Sequence, residues 1–174
     1  MKKALIIALS CLVVMLVACK KPVEPTPEPV DYAPNYVGNY IGQFTLTINS
    51  MNNSAVSNMT FPIDNIGMDI AKGEMINTIT AAVAVENEIH YTDGTVTQEK
   101  ADFGTVHLVI DKPDQFYKFE LDLEMEGNKT VGDTLNITGS FAGSGSATIM
   151  GQEQVFNEVS GTLVGKLAQE SRFR

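Results

Sequence analysis

The sequence predicts an all-β domain, an up-and-down antiparallel barrel of about eight to ten strands, with a β-sandwich as the alternative. Three observations predict it. Apolar and polar residues alternate with period two from Asn35 onward, turn signals recur at short intervals, and one glycine-framed motif returns three times. Length supports a single domain: 174 residues are about one domain's worth.

The alternation gives each strand one dry and one wet face. Tyr36, Gly38, Tyr40, Gly42, Phe44, Leu46 and Ile48 share a face, opposite Asn39, Gln43, Thr45 and Thr47. From Gln115 to Glu126, Tyr117, Phe119, Leu121, Leu123 and Met125 alternate with Phe116, Lys118, Glu120, Asp122, Glu124 and Glu126. Val106, Leu108 and Ile110 alternate with Thr105, His107 and Val109. Leu135, Ile137 and Phe141 continue the pattern, as do Val155, Val159, Leu163 and Leu167. Turns are expected at Met51–Ser54, Asp64–Asn65, Lys72–Gly73, Thr92–Gly94, Lys112–Asp114, Glu126–Asn128 and Met150–Gln152.

The repeated motif favours a barrel. Gly38–Gly42, Gly139–Gly143 and Gly161–Gly165 all read G-x-Φ-x-G, with both glycines and the large residue on one face. Glycine weakens a flat strand, so several on one face imply strong coiling or the close approach of another segment. Small/large alternation suits the inner taper of a small barrel. The copies fall in the first strand and the last ones, where a barrel would close.

Residues 1–18 read as a signal peptide. A cationic start at Lys2 and Lys3 precedes an apolar run from Ala4 to Leu16 broken only by Ser10, and small residues lead to Cys19. At ~1.5 Å per residue, Ala4 to Cys19 spans roughly 24 Å as a helix, short of the ~30 Å hydrocarbon core. Leu16-Val17-Ala18-Cys19 resembles a lipobox, which implies cleavage before Cys19 and lipidation of its sulfur. Residues 19–34 then form a tether. Lys20 to Pro34 holds five of the seven prolines, a spacing that imposes extended polyproline II at ~3.1 Å per residue, roughly 45 Å in all. Lys20 stands where an aspartate would resemble an inner-membrane retention signal, which points to the outer membrane. The barrel domain is assigned to residues 35–174.

Two longer stretches carry a family resemblance. Tyr36 to Thr47, and Ile137 to Gly151 with Val159 to Leu163, resemble the calycin-like lipoprotein family of Gram-negative bacteria. That resemblance implies a lipocalin-like barrel and carries over no catalytic residue. Gly38-Asn39-Tyr40 is similar to the G-x-W that opens the first strand of lipocalins. Tyr replaces Trp, and Lys166 is the nearest basic residue to the arginine that closes the last strand in that family.

Composition excludes several functions. A net charge of −9 argues against nucleic-acid binding, which depends on Lys and Arg neutralising phosphates. Cys11 leaves with the signal and Cys19 is consumed by lipid, so the folded part offers no thiol for disulfides, metals or nucleophilic attack. His90 and His107 fall on the polar phase of their strands and read as solvated surface residues. No P-loop, H-E-x-x-H, Rossmann or G-x-S-x-G pattern is present. Glu120, Asp122, Glu124 and Glu126 line one strand face about 6.8 Å apart and read as a solvated, aggregation-resistant surface. Asp133-Thr134-Leu135 resembles the acceptor of a periplasmic O-glycosylation system, which would place a glycan on Thr134.

The expectation is a non-enzymatic, lipid-anchored envelope protein without catalytic residues, metal or cofactor. Its partners are the membrane, through Cys19, and a small apolar or amphipathic ligand in a lumen lined by Tyr36, Tyr40, Phe44, Tyr117, Phe119, Leu121 and Phe141. The rival is a filled barrel that docks another envelope component through its outer face or loops.

Overall fold

The structure is a computed structural model that describes residues 27–52, 59–85, 88–130 and 133–170. Residues 1–26, with the signal, Cys19 and the first half of the tether, lie outside the described residues. Eight strands follow a 3-10 turn at Ala33–Asn35. They are β1 (Gly38–Met51), β2 (Met59–Lys72), β3 (Thr78–Val85), β4 (Glu88–Val96), β5 (Ala101–Lys112), β6 (Tyr117–Thr130), β7 (Thr134–Ile149) and β8 (Gln152–Gln169). Each pairs antiparallel with the next, and β8 returns to β1 from Tyr40↔Gln169 to Met51↔Val159, closing the barrel. The up-and-down antiparallel barrel expected of the sequence is therefore present.

The glycine motifs meet at and beside that closing seam. Phe44 lies opposite Gly165 and Ile48 opposite Gly161, while Phe141 lies opposite Gly161 on the other side. A Cβ on Gly161 would fall 2.4 Å from the Phe141 ring, and one on Gly165 would fall 2.5 Å from the Phe44 ring. These glycines let aromatic rings lie flat on the neighbouring strand, so the wall curves tightly without losing contact.

The dry faces form one core. Among the described residues it contains Phe103, Met68, Leu135 and Leu167 and no buried polar or charged side chain. Three expected turns instead lie inside strands. Asp64–Asn65 is a bulge in β2, with Asn65 at φ 58° and the register slipping between Gly42↔Ile66 and Phe44↔Ile63. The slip keeps both Ile63 and Ile66 inward. Gly94 sits within β4 because a side chain there would meet the Asp102 carbonyl at 2.2 Å, and Gly127 within β6 because it lies against the Phe103 ring. A second register shift, between Gly143 and Gly145, buries Phe156 and turns Val155 outward, against the expected phase. Tyr36 is buried, as its apolar phase required, but it follows the 3-10 turn and precedes β1.

β4 is inverted relative to its sequence pattern. Val83 faces the core and pairs with His90, so His90 turns inward while Ile89 and Tyr91 face solvent. The expected surface position of His90 is corrected: its side chain is only 16% exposed, and its Nε2 is buried without a hydrogen-bond partner. Val96, buried near the β4–β5 turn, fixes the phase of the strand, and the alternation carries it to His90. His107 is exposed as expected, with Nδ1 2.9 Å from Asp122.

The two ends differ. One, here the closed end, carries the β2–β3, β4–β5 and β6–β7 turns and the 3-10 turn. Asp31 fastens that turn by an ion pair to Lys72 at 2.5 Å and by accepting the Asn77 and Ala33 backbone N–H groups, each at 3.1 Å. Tyr32 returns a backbone N–H to the Asn77 side chain at 2.8 Å. Lys72 first, then the Asn77 N–H, holds the Asp31 carboxyl below the ordinary carboxylate range. Beneath this strap, the Tyr40 hydroxyl donates to the Tyr36 carbonyl at 2.9 Å. Lys129 Nζ stands 5.9 Å from the centre of the Tyr40 ring. The cation beside the first-strand aromatic thus comes from β6, and Lys166, the residue singled out in the sequence, points to solvent.

Candidate functional site: a cavity at the open end

The opposite end is hollow. A cavity of about 580 Å³ opens there, floored by Leu46, Ile48, Ile63, Phe119, Leu121 and Phe141. Its rim carries Asp64, Asn65, Lys112, Gln115 and Tyr117. The volume lies within the ~300–1,000 Å³ of small-molecule pockets.

Strand composition explains the space. From the closed end to the open end, β7 turns Leu135, Ile137, Gly139, Phe141, Gly143, Gly145 and Ala147 inward. The last three are too small to reach the axis. Phe119 lies against Gly145, where a Cβ would approach its ring to 2.2 Å, so this aromatic lines the wall and leaves the centre unfilled.

The mouth is widened by a short hairpin. β2 pairs with β3 from Gly67↔Ala84 to Lys72↔Ile79, and β4 pairs with β5 at Thr95↔Asp102 and Val96↔Ala101. The β3–β4 hairpin therefore covers only the closed half of that side. Its residues do not line the cavity, whose walls come from β1, β2, β5, β6 and β7 with Gln115 of the β5–β6 turn.

Polarity is graded along this axis. The floor residues are aliphatic or phenyl and cannot hydrogen-bond, whereas amide, carboxylate, ammonium and phenol groups gather at the mouth. Asp64 is steadied there by Gln43, whose side-chain amide donates to it. The arrangement suits a guest with an apolar body and a polar end left at the rim.

Tyr117, Phe119, Leu121 and Phe141, expected to line the lumen, do so. Tyr36, Tyr40 and Phe44 are correctly inward but do not line the cavity: all three are buried, and the two tyrosines belong to the closed end. Burial raises both phenol pKa values, with the Asp133 charge adding to that of Tyr40, so each hydroxyl stays protonated and able to donate. Sequence reasoning missed Phe61 and Ile63. Their signal was the phase break between Phe61/Ile63 and Ile66/Met68/Ile70 at Asp64–Asn65, which marks a bulge as well as it marks a turn.

The acidic stripe faces outward. Lys118 pairs with Glu120 at 3.1 Å, His107 with Asp122, and Lys100 with Glu126 at 2.5 Å. Glu126 raises the Lys100 pKa. Among the described residues, no three His, Asp or Glu side chains converge as a metal site. Thr134 opens β7 and is partly buried. No protein-family model and no curated protein matches the chain. The class defined by the coordinates is a closed eight-stranded up-and-down antiparallel barrel with one solid and one hollow end.

Proposed function

We propose that this chain is a non-enzymatic, lipid-anchored protein of the bacterial cell envelope, held at the outer membrane, that binds a small amphipathic molecule in its hollow end. The observation that carries the reading is the cavity of about 580 Å³ with an apolar floor and a polar mouth. The anchor rests on the lipobox-like Leu16–Cys19 and the proline-rich tether. Asp31 and Tyr32 are fixed to the β2–β3 turn, so a tether preceding them leaves from the closed end, opposite the mouth.

Native mass spectrometry of the protein purified from its own cell tests the binding. The expected result is a mass excess of a few hundred daltons, lost on denaturation. Bare protein, together with a crystal structure whose open end is filled by its own side chains, would contradict it. Cys19→Ser tests the anchor by moving the protein from the membrane fraction to the soluble one.

One observation favours docking as a second reading. Ile41, Gly67, Ala84 and Ile89 form an uncharged row across the outer faces of β1 to β4, with Tyr91 exposed beside it. Substituting Ile89 and Tyr91 with Ser separates the readings: docking weakens, whereas ligand binding in the cavity is unchanged.

A further inference from the structure

Beside the main cavity, nearer the rim of the open end, lies a second recess of about 170 Å³, walled by Met51, Met59, Phe116, Ala147 and Phe156. The two spaces share Phe61, Gln115, Tyr117 and Phe119. The partition between them is aromatic. Phe61 lies 5.6 Å from Tyr117 and 6.0 Å from Phe119, those two are 5.7 Å apart, and all three pairs are tilted.

The three rings are not equally held. Tyr117 and Phe119 stand on β6, which is paired on both sides: Tyr117 with Lys112 and Ala147, Phe119 with Ile110 and Gly145. Phe119 is also seated against Gly145. Phe61 stands on the outer part of β2, whose register partners are on β1, because β3 joins β2 only from Gly67 onward. Pro62 beside it lacks the N–H that a second neighbour would use, and suits an edge. The Asp64–Asn65 bulge separates this stretch from the firmly paired remainder of β2. Phe61 is the partition ring with the least holding it in place.

Resting on the ligand-binding reading above, we infer that Phe61 is the gate between two compartments of one site. The ligand class that fits is an amphiphile with an aromatic ring, its polar end at the Lys112–Gln115 mouth and its ring lying across the partition into the second recess. Displacement of Phe61 lets the guest's ring take its place against Tyr117 and Phe119, at the ~4.5–7 Å centroid separations favoured by aromatic pairs. A straight alkyl chain fits the main cavity and has no need of the gate. Phe61 is thus a specificity-determining residue that selects for rings.

Fluorescence titration of the folded barrel with N-phenyl-1-naphthylamine, and displacement by dodecanoate, tests the inference in the wild type, Phe61→Ala, Phe61→Leu and Phe61→Trp. Removing the gate should tighten binding of the aryl dye about tenfold in Phe61→Ala, and enlarging it in Phe61→Trp should weaken that binding about tenfold, with dodecanoate changing less than about twofold. Phe61→Leu, which keeps an apolar side chain at the position, should fall between the wild type and Phe61→Ala. It carries the test if the alanine variant melts early. Equal changes for dye and dodecanoate, or no change for either while the wild type binds both, would overturn the gate and leave the cavity reading standing. A wild type that binds neither overturns the cavity reading itself.

Discussion

Followed along its length, β7 turns Leu135 and Ile137 inward at the closed end and Gly143, Gly145 and Ala147 at the open one. Around the first pair the barrel packs solid, with Met68, Met125, Phe103 and Leu167 filling the axis beneath the Asp31 strap. Around the second group aromatic rings lie against the wall and the axis is empty. One alternating pattern thus builds two kinds of interior, and the difference lies in side-chain volume on the dry face. Stability is concentrated at one end, which frees the other to remain hollow.

The sharpest way to break this comparison is to truncate both ends alike. Leu167→Ala should cost about 3–5 kcal/mol, since it opens a void in a filled region, whereas Ile48→Ala, at the edge of an existing cavity, should cost about 1–2 kcal/mol. Urea unfolding of both variants measures this. Equal losses would mean that the open end is packed as tightly as the closed one.

A smaller effect concerns the buried tyrosine pair. Tyr40→Phe removes the donor to the Tyr36 carbonyl and should cost about 1 kcal/mol. Ligand affinity should not change, because the hydroxyl is at the far end.

Acid should loosen the closed end first. The folded-state pKa of Asp31 is depressed, so its contribution is complete above the ordinary carboxylate pKa and is lost as pH falls through the folded value. Asp31 is partly buried but its partner Lys72 is half exposed, so solvent screening keeps the effect modest. The protection factors of the Ala33 and Asn77 amides, taken relative to intrinsic exchange at each pH, should fall below the carboxylate range in the wild type, and Asp31→Asn should show the lower protection already at neutral pH. Identical profiles for the two proteins would remove Asp31 as the fastening.

The smallest change should be a gain. Met150 and Gly151 form the two-residue β7–β8 turn with φ values of 53° and 77°, and Met150 is fully exposed. Both angles positive is the type I′ pattern, which favours Asn-Gly. Met150→Asn should raise stability by roughly 0.5–1 kcal/mol, read as a higher melting temperature.

Much of this fold was legible in the sequence. β1, β5 and β6 follow the expected alternation residue for residue, and the G-x-Φ-x-G copies correctly marked where opening and terminal strands meet. Legibility failed where local pattern yields to register. Asp64–Asn65, Gly94 and Gly127 look like turns, yet each sits inside a strand because a bulge or a neighbouring group occupies the space a turn would need. β4 is inverted because its phase is set at Val96, and local hydrophobicity at Ile89 and Tyr91 does not override it. For the site, alternation placed Tyr36, Tyr40 and Phe44 inward beside Tyr117 and Phe119 but could not tell filled levels from empty ones. That distinction depends on which residues share a level around the barrel, and only register reveals it.

The central claim is a solid end and a hollow end that accepts an apolar guest. Methyl-resolved NMR of the folded barrel, titrated with dodecanoate, tests it most directly. Leu46, Ile48, Ile63, Ile110 and Leu121 should shift and saturate together, while Leu135 and Leu167 at the closed end stay still. Shifts confined to Ile41 and Ile89 on the outer wall, or no shift at saturating ligand, would contradict it.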